Sequence, residues 1–151
     1  MGSGASTQGN GENPEIVAEA QWVVIRVKNK IRNQPISVKN AKLKWGKFYD
    51  GNDQDNEVPA SDINKLDIQP NKTGNIAAAG RAHAASGTEG TIDLKDGDTK
   101  ICTLYWLCPW GEKTNDFQLR DLEEDDYGVT VKAWNRKNGA LGHVDVIVSK
   151  Y

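Results

Sequence analysis

The chain has 151 residues, with 19 lysines and arginines against 21 aspartates and glutamates, for a formal net charge of −2. This length fits one domain whose core needs no metal or disulfide, and the apolar runs fall far short of the roughly 20 residues of a transmembrane helix. Because the charges nearly cancel, no overall electrostatic field would attract the protein to nucleic acid or to a strongly anionic bilayer, so we expect no nucleic-acid partner.

The N-terminal segment has the composition of an unfolded tail. It is rich in Gly, Ser and Asn up to Pro14 and carries too few apolar residues to offset the entropy lost on ordering. We therefore predict a disordered tail over residues 1–16 and a single domain over residues 17–151. The segment has neither the basic start nor the apolar stretch of a secretory signal peptide, so we expect synthesis in the cytoplasm and release by another route.

Short runs of β-branched residues, separated by turn residues, follow from Ala20 to the C-terminus. In QWVVIRVKN and GHVDVIVSK the apolar residues alternate with a period of two, which is typical of a half-buried strand. ISVKNAKLKW keeps that period on both sides of Asn40, where we predict a bend or bulge. Seven or more short strands joined by Gly, Asn and Asp turns predict an all-β fold, a single antiparallel β-sandwich. The other predicted strands are TGNIAAAG, GTIDL, TKICTLYWLC and YGVTVKAWN.

Both cysteines lie in one predicted strand. Cys102 and Cys108 are six positions apart. In an extended strand this spacing separates their α-carbons by roughly 20 Å, whereas a disulfide tolerates at most about 7 Å. We therefore predict two free thiols, as in a protein made in a reducing compartment.

No motif in the sequence carries catalytic or metal chemistry. No cysteine or carboxylate stands at a zinc-ligand spacing from His83 or His143 along the sequence, and there is neither a nucleophile elbow nor a phosphate-binding glycine loop. The acidic run DGNDQDNE fails the EF-hand pattern, because Asp55 stands where glycine is needed and Ser61 where a bidentate glutamate is needed. We favour a solvated acidic turn there and leave a different calcium loop open. We accordingly expect no catalytic residue, no cofactor, no metal and no enzymatic activity.

The five tryptophans fall into two groups. Trp22, Trp106 and Trp134 lie within strand runs, where burial in the core is the default for a sandwich. Trp45 and Trp110 stand where strands end, and each is followed at once by glycine. We predict that these two are exposed and functional.

A lysine follows each of the two predicted surface tryptophans. Lys47 comes two positions after its tryptophan and Lys113 comes three positions after the other. An indole suits the headgroup layer of a bilayer, and an ammonium can donate to a phosphate oxygen. The combination indicates a site for a zwitterionic phospholipid. Exposed aromatics on a β-sandwich would also suit the sugar rings bound by a carbohydrate-binding module, and that alternative stays open.

Five segments, in their order along residues 20–151, resemble the aegerolysin family. They are AQWVVIRVKN, KLKWGKFYDGNDQDNEV, GTEGTIDLKDG, YWLCPWGEKTNDF and GALGHVDVIV, and the block YWxCPWGxKTN is the most specific. The resemblance implies an actinoporin-like β-sandwich without catalytic activity that acts peripherally at a target-cell membrane. It implies binding to membrane sphingolipids, either ceramide phosphoethanolamine or sphingomyelin with cholesterol.

The resemblance also implies a protein partner. Several aegerolysins are targeting components of two-component pore-forming cytolysins, in which a larger perforin-like (MACPF) protein makes the pore, and some bacterial pairs are insecticidal toxins. A self-sufficient haemolysin is the alternative, and a weak homo-oligomer stays open.

The resemblance carries over four lipid-contacting residues by motif: Trp45, Tyr105, Trp110 and Lys113. The loop around Ser86, which is glutamate in some relatives, would adjust the choice of lipid. Where many relatives have CGRSDA and YWDCPW, this chain has AGRAHA over residues 79–84 and Leu107 in place of the aspartate. The predicted lipid-binding residues are Trp45, Lys47, Ser86, Tyr105, Trp110 and Lys113.

Overall fold

The alternating segments of the sequence form strands in two sheets that pack face to face. The computed structural model describes residues 20–111 and 113–151, and the tail predicted over residues 1–16 lies outside them. Within those two ranges no helix has the length and hydropathy of a membrane span. The elements in chain order are β1 (Trp22–Asn29), β2 (Ile36–Trp45), β3 (Lys47–Asp50), β4 (Asp53–Val58), α1 (Ala60–Ile63), β5 (Asp67–Ile68), β6 (Thr73–Ala79), β7 (Thr88–Asp96), β8 (Thr99–Cys108), β9 (Asp116–Arg120), β10 (Tyr127–Val131) and β11 (Gly142–Lys150).

The strands divide between a six-stranded sheet, in the order β10-β11-β1-β6-β3-β4, and a five-stranded sheet, in the order β5-β2-β7-β8-β9. Paired strands are antiparallel except β1 and β11, which run parallel. The prediction of an all-β sandwich dominated by antiparallel pairs is confirmed. The parallel pair was not predicted, because a two-residue period is the same whichever way the neighbouring strand runs.

The core between the sheets contains one of the five tryptophans in full. Trp106 of β8 is completely buried and packs edge-on against Phe48, with 6.1 Å between the ring centroids. Its Nε1 donates a hydrogen bond to Oγ1 of Thr88 at 3.0 Å, so the polar tip of the indole is satisfied inside the core. Trp22 and Trp134, also predicted to be core residues, are only half-buried.

The predicted irregularity in β2 is present. Asn40 has a φ of 54°, and the register with β7 shifts between Lys39 and Lys42. Asparagine tolerates this left-handed backbone better than most residues. Its Nδ2 also donates to Oδ2 of Asp93 at 2.8 Å. The prediction of a bulge at this position is confirmed.

The acidic run predicted as a solvated turn is instead a hairpin. The turn itself is limited to Gly51 and Asn52, and residues 53–58 pair back onto β3 as β4. Oδ1 of Asp50 accepts the backbone N–H of Asn52 at 3.1 Å. β4 is an edge strand, where charged side chains discourage pairing with another chain. Among the described residues, no group of three or more His, Cys, Asp or Glu side chains is placed to hold a metal ion.

Two buried thiols make the stability of the sandwich depend on pH. Cys102 and Cys108 lie on β8 as free cysteines, and burial raises their pKa values to about 12 and about 11, respectively. A cysteine in an unfolded chain ionises near pH 8.5. At alkaline pH the folded protein therefore keeps two protons that the unfolded chain releases, so ionisation favours unfolding.

We expect the free energy of unfolding to fall as the pH rises above about 8.5, by up to about 1.4 kcal/mol per pH unit for each thiol. The double variant Cys102→Ala/Cys108→Ala should be less stable at neutral pH but lose much less stability between about pH 8.5 and 9.5, where the tyrosines of the unfolded chain are still mostly protonated. Urea unfolding in the presence of a reducing agent, followed by tryptophan fluorescence, measures both slopes. Equal slopes for the two proteins would contradict this origin of the pH dependence.

Candidate functional site

A hollow of about 950 Å³ opens at one end of the five-stranded sheet. It lies where β2 ends, β7 begins and β8 ends, which are adjacent because these three strands are antiparallel neighbours. Two loops complete its wall: the loop that precedes β7 and the loop that follows β8. The residues around it are Trp45, residues 85–89, Leu107, Pro109, Trp110, Gly111, Lys113 and Thr114.

A row of three side chains on the solvent face of the sheet lies against this hollow. Glu89 of β7 is the cross-strand partner of Trp45 on β2 and of Leu107 on β8. The residues on either side of it, Thr88 and Gly90, are buried, so the alternation of the strand turns Glu89 outward. Directly paired residues have β-carbons roughly 4.5–5.5 Å apart, so an indole, a carboxylate and an aliphatic side chain stand next to one another.

Gly46 separates two of the predicted site residues. It has a φ of +95°, and a β-carbon there would lie 2.5 Å from the carbonyl oxygen of Ala79, so this position requires glycine. The chain crosses at this point from β2 in one sheet to β3 in the other. Trp45, before the crossing, is 50% exposed at the hollow. Lys47, after it, is 8% exposed and pairs with Ala79 in the six-stranded sheet, away from the residues around the hollow.

Lys47 belongs to a different electrostatic group. Arg81 donates two hydrogen bonds to Glu57, at 2.8 and 2.6 Å. These bonds and the charge of Arg81, with a further contribution from the charge of Lys47, lower the pKa of Glu57. The ammonium of Lys47 is therefore an electrostatic neighbour of this ion pair.

The loop before β7 forms one wall of the hollow. Ser86 is half-buried there. A β-carbon on the next residue, Gly87, would overlap the carbonyl oxygen of Cys108, so the loop lies directly against the end of β8. This close approach holds Ser86 beside the hollow.

Trp110 and Lys113 belong to the opposite wall. Trp110, which the sequence predicted to be exposed, is half-buried, and its Nε1 is buried without a hydrogen-bond partner among the residues that the structure describes. A buried donor left without a partner costs about 1–3 kcal/mol. Lys113 is exposed. The hollow therefore has an indole and a cation on the same loop.

Asn115 fixes this second loop and was not predicted from the sequence. Its buried Nδ2 donates to the carbonyl oxygens of Asn135 at 2.9 Å and Gly139 at 3.0 Å. Its backbone N–H donates to the carbonyl oxygen of Arg136 at 2.8 Å. These bonds tie the KTN part of the motif to the segment before β11. The only sequence signal was an amide residue inside the specific motif, and its partners are more than 19 positions away along the chain.

Tyr105 is not one of the residues that line the hollow. Its hydroxyl donates to Oε2 of Glu89 at 2.6 Å, and the guanidinium of Arg120 lies 4.0 Å from the centre of its ring. Burial, followed by the hydrogen bond and the charge of Glu89, raises the pKa of Tyr105 to about 12. The hydroxyl is thus a permanent donor at physiological pH.

The structure brings Trp45, Ser86, Trp110 and Lys113 together around one hollow. Tyr105 is connected to the hollow by its hydrogen bond to Glu89, whereas Lys47 lies in the other sheet. Glu89 was not singled out from the sequence, because only the pairing of β7 with both neighbours shows where it stands. Among the described residues around it, the hollow offers an apolar surface, one cation and one carboxylate, which suits the recognition of an amphipathic molecule with charged groups.

Comparison with known proteins identifies relatives over almost the whole domain. The aegerolysin family model matches residues 20–151. Asp-hemolysin of Aspergillus fumigatus is 41% identical over 135 residues, which cover 89% of this chain and 96% of that protein. Ostreolysin A6 of Pleurotus ostreatus is 38% identical over 133 residues, which cover 86% of this chain and 95% of that protein. The crystal structure of IP-1A from Alcaligenes faecalis matches with a TM-score of 0.83 and 37% identity, over 92% of this chain and 97% of that one.

These matches confirm the family that the sequence motifs indicate, since they include every segment that carries the resemblance. The chain belongs to the aegerolysin family of lipid-binding, haemolysin-like proteins.

Proposed function

We propose that this protein binds sphingolipids at a membrane surface through the hollow at the end of the five-stranded sheet. The single observation that carries the proposal is the half-exposed indole of Trp45 in the same open hollow as the ammonium of Lys113. Binding is peripheral and involves no catalysis: the indoles enter the headgroup layer while the ammonium contacts phosphate.

The apolar part of this interaction is large enough to matter. A tryptophan buries about 150–250 Å² when it is fully covered. Since Trp45 is 50% exposed, its insertion removes about 100 Å² of mostly apolar surface from water, worth about 2 kcal/mol or roughly 30-fold in affinity. Trp110 adds the indole N–H that has no partner among the described residues, a donor that interfacial water or a headgroup oxygen could satisfy.

The polar part comes from Lys113. An ammonium has three N–H donors and no acceptor, so it contacts phosphate as a compact charge. Ser86 and Thr114, which also lie around the hollow, carry hydroxyls that can donate to the same headgroup. The headgroups that fit are the phosphoethanolamine of ceramide phosphoethanolamine and the phosphocholine of sphingomyelin, with cholesterol as a component of the membrane.

We further propose that binding is the targeting step of a two-component cytolysin or insecticidal toxin. The family membership supports this step, and the name of Asp-hemolysin denotes a relative that lyses red cells. In this scheme the protein is made in the cytoplasm, is released, and recruits a perforin-like partner to the target-cell membrane. Dye release from sphingolipid vesicles should require the partner. Release by this protein alone would instead support the self-sufficient haemolysin.

The variant Trp45→Ala should bind vesicles of phosphatidylcholine, cholesterol and sphingolipid roughly 30-fold more weakly, because it lacks the inserting indole. Its urea unfolding midpoint should stay close to that of the wild type, since the ring is half in solvent. The matched control is Tyr151→Ala, which removes an aromatic side chain that is 82% exposed at the far end of β11. Vesicle sedimentation measures the affinities. Equal losses in the two variants would remove the assigned role of Trp45.

The variant Lys113→Gln should lose about tenfold in vesicle affinity, the low end of what a hydrogen bond to a charged group contributes. Its control is Lys132→Gln, which changes the net charge equally at an exposed site in the segment after β10. The two are compared by sedimentation at several salt concentrations, because screening weakens general electrostatic attraction. If both variants behave alike, Lys113 does not contact the headgroup. A wild type that binds glycans without any bilayer would support the carbohydrate-binding module instead.

A further inference from the structure

We propose that Glu89 is the residue that selects headgroups with a primary ammonium over headgroups with a quaternary one, and that Tyr105 positions its carboxylate. This inference rests on the proposed function of the hollow and assigns to Glu89 the recognition of the headgroup amine.

The Glu89 carboxylate is located where its access to water is limited. Glu89 is half-buried at the hollow, between Trp45 and Leu107 in the cross-strand row. An indole and an aliphatic side chain on either side limit its access to water. A charge in such a place interacts more strongly with a bound ion than a fully solvated one does.

The hydrogen bonding of the Glu89 carboxylate differs between its two oxygens. An ionised carboxylate has two oxygens with about four acceptor positions. Tyr105 donates to Oε2 at 2.6 Å, and in the described part of the chain no hydrogen bond is made to Oε1. One oxygen is therefore fixed by the protein, while the other keeps its capacity to accept from a ligand in the hollow.

The charges at the hollow are complementary to those of a phosphoethanolamine headgroup. The hollow has a cation, Lys113, on one wall and the Glu89 carboxylate on its sheet side. A phosphoethanolamine headgroup carries the opposite pair, an anionic phosphate and a cationic amine, and fits with the phosphate towards Lys113. Its ammonium then lies towards Glu89.

Primary and quaternary ammonium groups differ in the hydrogen-bond donors that they carry. A primary ammonium can donate charge-assisted hydrogen bonds to a carboxylate, which are about twice as strong as neutral ones. A trimethylammonium has no N–H and is restricted to general charge attraction and to contact with the face of an indole. Removing the charge of Glu89 should therefore weaken binding of the primary amine far more than binding of the quaternary amine.

Tyr105 acts through Glu89 and not on the lipid. Its hydroxyl holds Oε2, and the stacking of Arg120 on its ring holds the tyrosine. The hydrogen bond thereby reduces the rotamer freedom that the carboxylate would lose on binding. Tyr105→Phe removes this restraint and keeps the ring.

The experiment compares phosphatidylcholine vesicles that contain either ceramide phosphoethanolamine or sphingomyelin at equal content. The wild type should bind the first about tenfold more tightly, as expected for one charge-assisted hydrogen bond, and Glu89→Gln should bring the ratio close to one. The glutamine carbonyl can still accept from Tyr105, so the fold of the site is kept. Glu57→Gln, an exposed carboxylate paired with Arg81, is the matched control and should retain the wild-type ratio.

Tyr105→Phe carries the test if Glu89→Gln does not fold, and it should lower the ratio with little change in sphingomyelin binding. Soluble phosphoethanolamine should displace the wild type from vesicles more effectively than phosphocholine does, and this difference should vanish in Glu89→Gln. A wild-type preference for sphingomyelin, or an unchanged ratio in both site variants, would overturn the inference. Failure of the wild type to bind either vesicle would instead contradict the proposed function.

Discussion

The buried hydrogen bond from the Trp106 indole to Thr88 is the contact on which the site depends. It joins the end of β8 to the first residue of β7 inside the core, beneath the hollow. Because side chains alternate across a strand, fixing Trp106 and Thr88 inward fixes their neighbours Leu107 and Glu89 outward. A slip of one residue in this register would exchange the two faces and bring a carboxylate into the core.

Among the residues that the structure describes, the hollow combines an apolar row with two opposite charges. Trp45 and Leu107 supply the apolar contact, and Glu89 stands between them. Glu89 lies directly opposite Leu107 on the neighbouring strand, so a negative charge on this face comes from β7.

The loops around the hollow are held in different ways. Asn115 ties the loop after β8 to a distant segment with two hydrogen bonds, whereas Gly87 lets the loop before β7 lie against the backbone of Cys108. Trp110 lies between these anchors with its indole N–H unpaired among the described residues. Firmly held loops that present an indole N–H unpaired among the described residues favour a surface that binds a membrane.

The sequence by itself determined the strands whose two faces differ. The period of two in β1, β2 and β11 fixed their extent, and the polar break at Asn40 marked the bulge, because alternation is a local consequence of a half-buried strand. The motif blocks determined the family. The glycine that directly follows Trp45 indicated that the indole is exposed, and the structure confirms this exposure.

The tertiary structure alone decided the features that depend on residues far apart along the chain. The parallel pairing of β1 with β11 leaves no trace in either strand's pattern, and β4 is polar on both faces, so periodicity could not detect it. Lys47 lies only two positions from Trp45, yet Gly46 sends it into the other sheet. Glu89 stands at the hollow because β7 pairs with β2 on one side and β8 on the other. Long-range packing decides which strands become neighbours and in which register they pair, and the local spacing of residues does not.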